Sequence, residues 1–147
     1  ATLLRIAKAL NVSLVDFFTA EKTNIPYVLT RKGNGRVILR DGSRFGYSYE
    51  ALGLEKKDKI AEPFLLNIKP NDPPGTFHHE GQEFIYMLSG QISFTINDEK
   101  LILRAGDSLY FDSTNVHHTQ VVGKRPAKFI CVFIQDNPLS QRKAGRK

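Results

Sequence analysis

The stretch Gly75-Thr-Phe-His-His-Glu-Gly-Gln-Glu-Phe-Ile-Tyr-Met-Leu-Ser-Gly90 gathers two histidines and two carboxylates between His78 and Glu83, then runs into apolar residues. Imidazole and carboxylate are the donors that divalent transition metals take from proteins, so this stretch offers metal-ligand chemistry at the mouth of a sheet. A second histidine-bearing stretch, Gly106-Asp-Ser-Leu-Tyr-Phe-Asp-Ser-Thr-Asn-Val-His-His118, follows it. Two such strand ends in one β-rich segment imply a single pocket. An extended chain alternates faces, so Phe77 and His79 share a side and His78 points away. By the same rule only one of His117 and His118 faces inward. The same groups could instead hydrogen-bond one another or a bound anion. No nucleophile or general base stands out; Glu80 and His78 are candidates only by proximity, and Tyr86, Tyr110 and Asp112 read as ordinary strand residues.

The elements that must position these groups are short strands at close intervals. Tyr27–Arg31 and Arg36–Arg40 flank Lys-Gly-Asn-Gly35, a hairpin signal, and Asp41-Gly-Ser43 is a turn. Phe45, Tyr47 and Tyr49 alternate with small or polar residues, which predicts an aromatic face used as core or dimer interface ahead of a ligand-stacking wall. A strand from Glu62 to Lys69 leads through the proline-rich turn Pro70–Gly75 into the first histidine stretch. Further strands are predicted over Gln91–Asn97, Leu101–Leu103, Ser108–Phe111, Thr119–Val122 and Ala127–Ile134. Turn signals separate them, a pattern that argues for a closed antiparallel barrel.

Together the two histidine stretches resemble the paired motifs of the cupin superfamily. The first motif's opening glycine, second histidine, glutamate and closing glycine fall on Gly75, His79, Glu83 and Gly90, and the second motif's glycine and histidine on Gly106 and His117. The first motif's leading histidine is Phe77 here, Val116 stands where the second has proline, and its final asparagine is missing. The resemblance implies a mainly β fold, an antiparallel double-stranded β-helix or jelly-roll barrel. It also implies a metal set of His79, Glu83 and His117, with Zn, Fe, Mn or Ni as the divalent ion. Phe77 joins these three in the ligand pocket, making one wall apolar in place of a fourth ligand.

Ahead of the barrel, Leu3, Ile6, Ala7 and Leu10 recur at helical spacing, Asn11 follows as a C-cap would, and Ser13 can cap a short helix from Leu14 to Phe18. Helices this short do not stand alone. Residues 1–18 resemble the last two helices of a phage-repressor-like (XRE-type) helix-turn-helix domain. This implies that the chain is a piece of a longer transcription regulator whose DNA-reading helices lie upstream. The expected organisation is a helical remnant over 1–20, a linker with N-terminal strands and a dimerisation region over 21–63, the barrel over 64–135, and a disordered basic tail over 136–147. On this reading the protein is a bacterial homodimer and a non-catalytic sensor. A small-molecule effector binds its barrel, and operator DNA is met through the full-length parent rather than by this chain alone. The competing reading is a metal-dependent cupin enzyme of dioxygenase or isomerase type.

Composition sets outer limits. The net charge of +6 is unevenly placed: residues 64–138 carry 6 basic and 8 acidic groups, while 139–147 carry 4 basic and no acidic ones. Arg31, Lys32, Arg36, Arg40 and Arg44 concentrate positive charge in the N-terminal strands, where a solvated edge is the first reading and DNA-backbone contact the second. No apolar run is long enough to span a membrane. The one cysteine, Cys131, rules out an internal disulfide and reads as a buried strand thiol, which makes a cytoplasmic protein the default expectation.

Overall fold

The structure, a computed structural model, describes residues 26–135 together with Arg5, Ile6 and Ala9. Ten strands follow one another: β1 (Arg36–Ile38), β2 (Ser48–Ala51), β3 (Ala61–Ile68), β4 (Gly75–Phe77), β5 (Gln82–Ser89), β6 (Gln91–Ile96), β7 (Glu99–Arg104), β8 (Ser108–Asp112), β9 (His117–Val121) and β10 (Ala127–Ile134), with a 3-10 helix over Asp41–Phe45. They form a six-stranded sheet in the order β1-β2-β3-β10-β5-β8 and a four-stranded sheet in the order β4-β9-β6-β7. Every pairing is antiparallel. The mainly β, antiparallel barrel expected from the sequence is what forms. No helix of the described residues is long and apolar enough to cross a membrane.

Alternation decides which side chains fill the space between the sheets. On β3 Phe64, Leu66 and Ile68 are buried, on β5 Glu83, Ile85 and Met87, and on β10 Ala127, Phe129 and Cys131. The four-stranded sheet adds Ile92, Phe94, Leu103, His117, Thr119 and Val121 from its inner face. A pleated strand sends every second side chain inward, so one polar residue in the right register is carried into the interior with its apolar neighbours. Glu83 and His117 arrive in this way.

Three local expectations need correction. The hairpin between Tyr27–Arg31 and Arg36–Arg40 does not form. A turn is present, with Asn34 N–H donating to the Arg31 carbonyl at 3.0 Å, but residues 27–31 are not strand and β1 pairs with β2 instead. The reason is burial: Tyr27 and Leu29 stay exposed, whereas β1 in its observed register lays Ile38 beside Tyr49 at the core. The aromatic face is likewise split, because the 3-10 helix takes Phe45 out of the strand while Tyr47 and Tyr49 remain buried. Arg40 is no solvated edge charge. It pairs with Glu62 at 2.9 Å, and its guanidinium lies over the rings of Phe64 and Phe133, 4.8 and 4.4 Å from their centroids. The helices expected over 2–18 lie outside the described residues except for Arg5, Ile6 and Ala9, which are helical, and the basic tail over 136–147 lies outside them altogether.

Candidate metal centre

His79 sits in the connection between β4 and β5, Glu83 is the second residue of β5, and His117 opens β9. Gly81 lets the first two come together. Its φ of +94° lies in the left-handed region, and a Cβ there would crowd the carbonyl oxygen of Ile134. The loop is pinned from both sides, since His79 N–H donates to the Ser113 carbonyl at 3.0 Å and Ser113 N–H to the Gly81 carbonyl at 3.1 Å. His117 reaches the same point from the opposite sheet, where β9 lies between β4 and β6.

The three side chains converge on one oxygen. His79 Nε2 lies 2.6 Å from Glu83 Oε1 and His117 Nε2 lies 3.4 Å from the same atom. One ligand atom from each of the three residues falls within 4.8 Å of the others. Each imidazole is oriented through its other nitrogen: His79 Nδ1 is 3.0 Å from the Glu80 carbonyl and His117 Nδ1 is 2.8 Å from the Asn115 carbonyl. A carbonyl only accepts, so Nδ1 carries a proton in both rings. Each Nε2 therefore faces the carboxylate either as the N–H of an imidazolium or as a lone pair directed at a shared cation. The second arrangement is that of a metal-ligating histidine tied by its far nitrogen. The donor set thus fits a divalent transition metal.

The electrostatics match. Burial pushes the Glu83 carboxyl upward, but hydrogen bonds from His117 and His79 outweigh it and bring the pKa down to about 2. The His79 imidazole is raised above its usual value, mainly by its hydrogen bond to Glu83 and against the effect of burial. Glu83 Oε2 is met by the Cys131 thiol at 3.3 Å. Burial, followed by the charge of Glu83, pushes that thiol well up, so the sulfur keeps its proton.

Around the triad the walls are aromatic. Phe94 stacks on His117 with ring centroids 5.9 Å apart, Phe111 meets it edge-on at 4.9 Å, and Phe77 lies 5.9 Å away on another side. The triad opens into a cavity of about 460 Å³ whose lining includes Arg40, Tyr47, Tyr49, Phe77, Cys131 and Phe133. All four residues expected from the sequence, Phe77, His79, Glu83 and His117, line this one space. His78 and Glu80 are exposed, as alternation requires, and His118 is half-buried outside the cavity lining. Tyr47 and Tyr49 are core and cavity wall at once. Sequence reasoning missed Arg40 and Cys131 as members of the site. Period-two alternation on β10 would have aligned Cys131 with Phe129 and Phe133, but only the pairing of β10 with β5 brings it to Glu83.

Residues 64–133 match the family model described as cupin domain. An uncharacterized protein of Methanocaldococcus jannaschii, MJ1618, is 30% identical over 54 residues, 37% of this chain. That match spans 43% of the relative, so the chain covers less than half of its length. Among solved structures, hydroxypropylphosphonic acid epoxidase from S. wedmorenis in complex with fosfomycin superposes with a TM-score of 0.64 at 22% identity, over 90% of this chain and 73% of that one. The Fe(II) form of the same epoxidase, HppE, gives 0.64 at 22% identity, over 90% and 74%. An RmlC-like cupin from Shewanella frigidimarina gives 0.60 at 13% identity, over 76% and 94%. The fold is a cupin fold. The expected helix-turn-helix regulator gains no support from the family match, which covers the barrel and not residues 1–20. The expectation of a non-catalytic sensor is corrected: the solved structures that share this fold include an Fe(II) enzyme.

Proposed function

We propose that this cupin-fold chain is the catalytic barrel of a mononuclear metal enzyme that oxidises a small organic substrate, with His79, Glu83 and His117 holding the ion and Fe(II) the first metal to test. One observation carries the reading: three ligand atoms of the two-histidine, one-carboxylate type lie within 4.8 Å of one another, beside a cavity able to hold a small molecule. Held by these three residues, a divalent iron would supply redox chemistry. The protein supplies the rest. The Glu80 and Asn115 carbonyls hold the two imidazoles in one tautomer, which removes ligand reorientation from the cost of loading the site. Phe77, Phe94 and Phe111 screen His117 from water and lower the local dielectric, which strengthens every electrostatic contact inside.

Arg40 provides a cation on the cavity wall, which suits a substrate with an anionic end. The epoxidase neighbour is named for a phosphonic acid, and short phosphonates and carboxylates are the first substrates to try. The test is anaerobic Fe(II) loading followed by oxygen uptake with a panel of such acids. Stoichiometric iron with substrate-dependent uptake is expected, and Arg40→Met should raise KM for the acids more than it lowers kcat. A chain that binds no Fe(II), Mn(II), Ni(II) or Zn(II) with all three ligands intact overturns the proposal.

A further inference from the structure

Cys131 lies in the middle of β10, paired with Ile85 of β5 on one side and Phe64 of β3 on the other. Two neighbouring strands hold its backbone, so the sulfur moves only by rotation about χ1. Only 2% of the residue is exposed, and its inward neighbours on the strand are Phe129 and Phe133. Valine or alanine would serve packing equally well at such a position, and neither carries a donor. The Glu83 carboxylate opposite has its two oxygens in different surroundings. Oε1 faces both imidazoles, while the hydrogen-bond partner of Oε2 among the described residues is Cys131.

We infer that Cys131 is a positioning residue of the metal centre: its S–H, donated to Glu83 Oε2, holds the carboxylate with Oε1 toward His79 and His117 and keeps Glu83 a one-oxygen ligand. The inference rests on the metal-centre reading above. Both oxygens can turn toward one ion only if the carboxylate rotates and Oε2 leaves the sulfur. A thiol is a weak donor, yet with Glu83 5% and Cys131 2% exposed little solvent reaches that oxygen to compete with it. Without it, Oε2 loses its partner inside the barrel and the carboxylate is free to rotate out of the orientation in which Oε1 meets the two imidazoles. One-oxygen binding keeps a coordination position open for substrate. Cys131 thus acts through Glu83 and touches no reacting atom.

The test uses Co(II) as probe on the full, metal-free chain, comparing wild type with Cys131→Ala and Cys131→Ser. Outer-shell partners of metal ligands are commonly worth ~10–100-fold in affinity, and a weak donor belongs at the ~10-fold end. Cys131→Ala should bind Co(II) about that much more weakly, with visible bands that lose intensity as the second oxygen raises the coordination number. Cys131→Ser, which restores a donor, should recover most of the affinity and the wild-type bands. Equal affinity and equal spectra for wild type and Cys131→Ala overturn the inference, as does a Ser variant no better than the Ala variant. A metal-free readout guards against variants that merely unfold. The chain's single S–H stretch should lie at lower frequency in wild type than in Glu83→Ala, and an unmoved band overturns the contact. If wild type binds neither Co(II) nor any of Fe(II), Mn(II), Ni(II) and Zn(II), the metal-centre reading falls and this inference with it. If wild type binds Co(II) and Cys131→Ala matches it, only the inference falls.

Discussion

Gly81→Ala tests whether the loop between His79 and Glu83 is a built part of the centre. Two costs add at this position. Its φ of +94° is a conformation that L-residues adopt at a cost of ~1–2 kcal/mol. The new methyl would also approach the Ile134 carbonyl oxygen closer than 3.0 Å, a separation at which something must shift. Forcing one methyl into a packed site commonly costs a further ~1–3 kcal/mol, for a total of ~2–5 kcal/mol. Gly53 is the internal control, because its φ of +84° carries the backbone cost while nothing lies within 4 Å of its Cβ position. At about 4 °C per kcal/mol for a domain of this size, Gly81→Ala should lower Tm by ~8–20 °C and Gly53→Ala by ~4–8 °C. The larger effect should extend to the site. Residue 81 accepts the Ser113 N–H, and Ser113 in turn accepts from His79, so a shift at 81 moves one ligand against the other. Metal affinity should therefore fall by at least ~10-fold in Gly81→Ala and stay at the wild-type value in Gly53→Ala. The assay is differential scanning fluorimetry paired with a Co(II) or Zn(II) competition titration. Equal melting points and equal affinities for the two variants would refute the reasoning.

Other outcomes follow from the same geometry. His79→Ala and His117→Ala should each cost more metal affinity than the ~10–100-fold expected for an outer-shell partner, with far-UV circular dichroism unchanged; collapse of the β signal would make these residues structural instead. Metal uptake should strengthen with rising pH. The His79 pKa lies above its ordinary ~6.5, and a proton and a metal compete for Nε2, so affinity that is flat from pH 6 to 8 would contradict the assignment. In the metal-free protein, Glu83 with its pKa lowered to about 2 contributes stability that is fully present above the unfolded carboxylate value of ~4.5. That contribution should disappear as pH falls through about 2, and the acid unfolding of Glu83→Gln should lack it.

What the sequence determined by itself is what repeats at short range. Alternation over Gln91–Ile96 and Ala127–Ile134, with turn residues between strands, is local information, and the observed strands β6 and β10 reproduce it. The choice of His79 over His78 follows from the same period, since neighbouring residues of an extended chain point to opposite sides. Even the failed hairpin has a local cause, because a good turn at 31–34 states where a chain bends and not what it pairs with. Only the tertiary structure decided which strands lie side by side. The register of β10 against β5 brings Cys131 to Glu83, and the curl of two sheets around one core brings His117 across to His79. Arg40 shows the limit most plainly: in sequence it is one basic residue among five near the N-terminal strands, and its place on the cavity wall exists only once Phe64 and Phe133 are packed beneath it. Pairing is a long-range choice settled by the total burial of both partners, and a single stretch of sequence does not contain its partner.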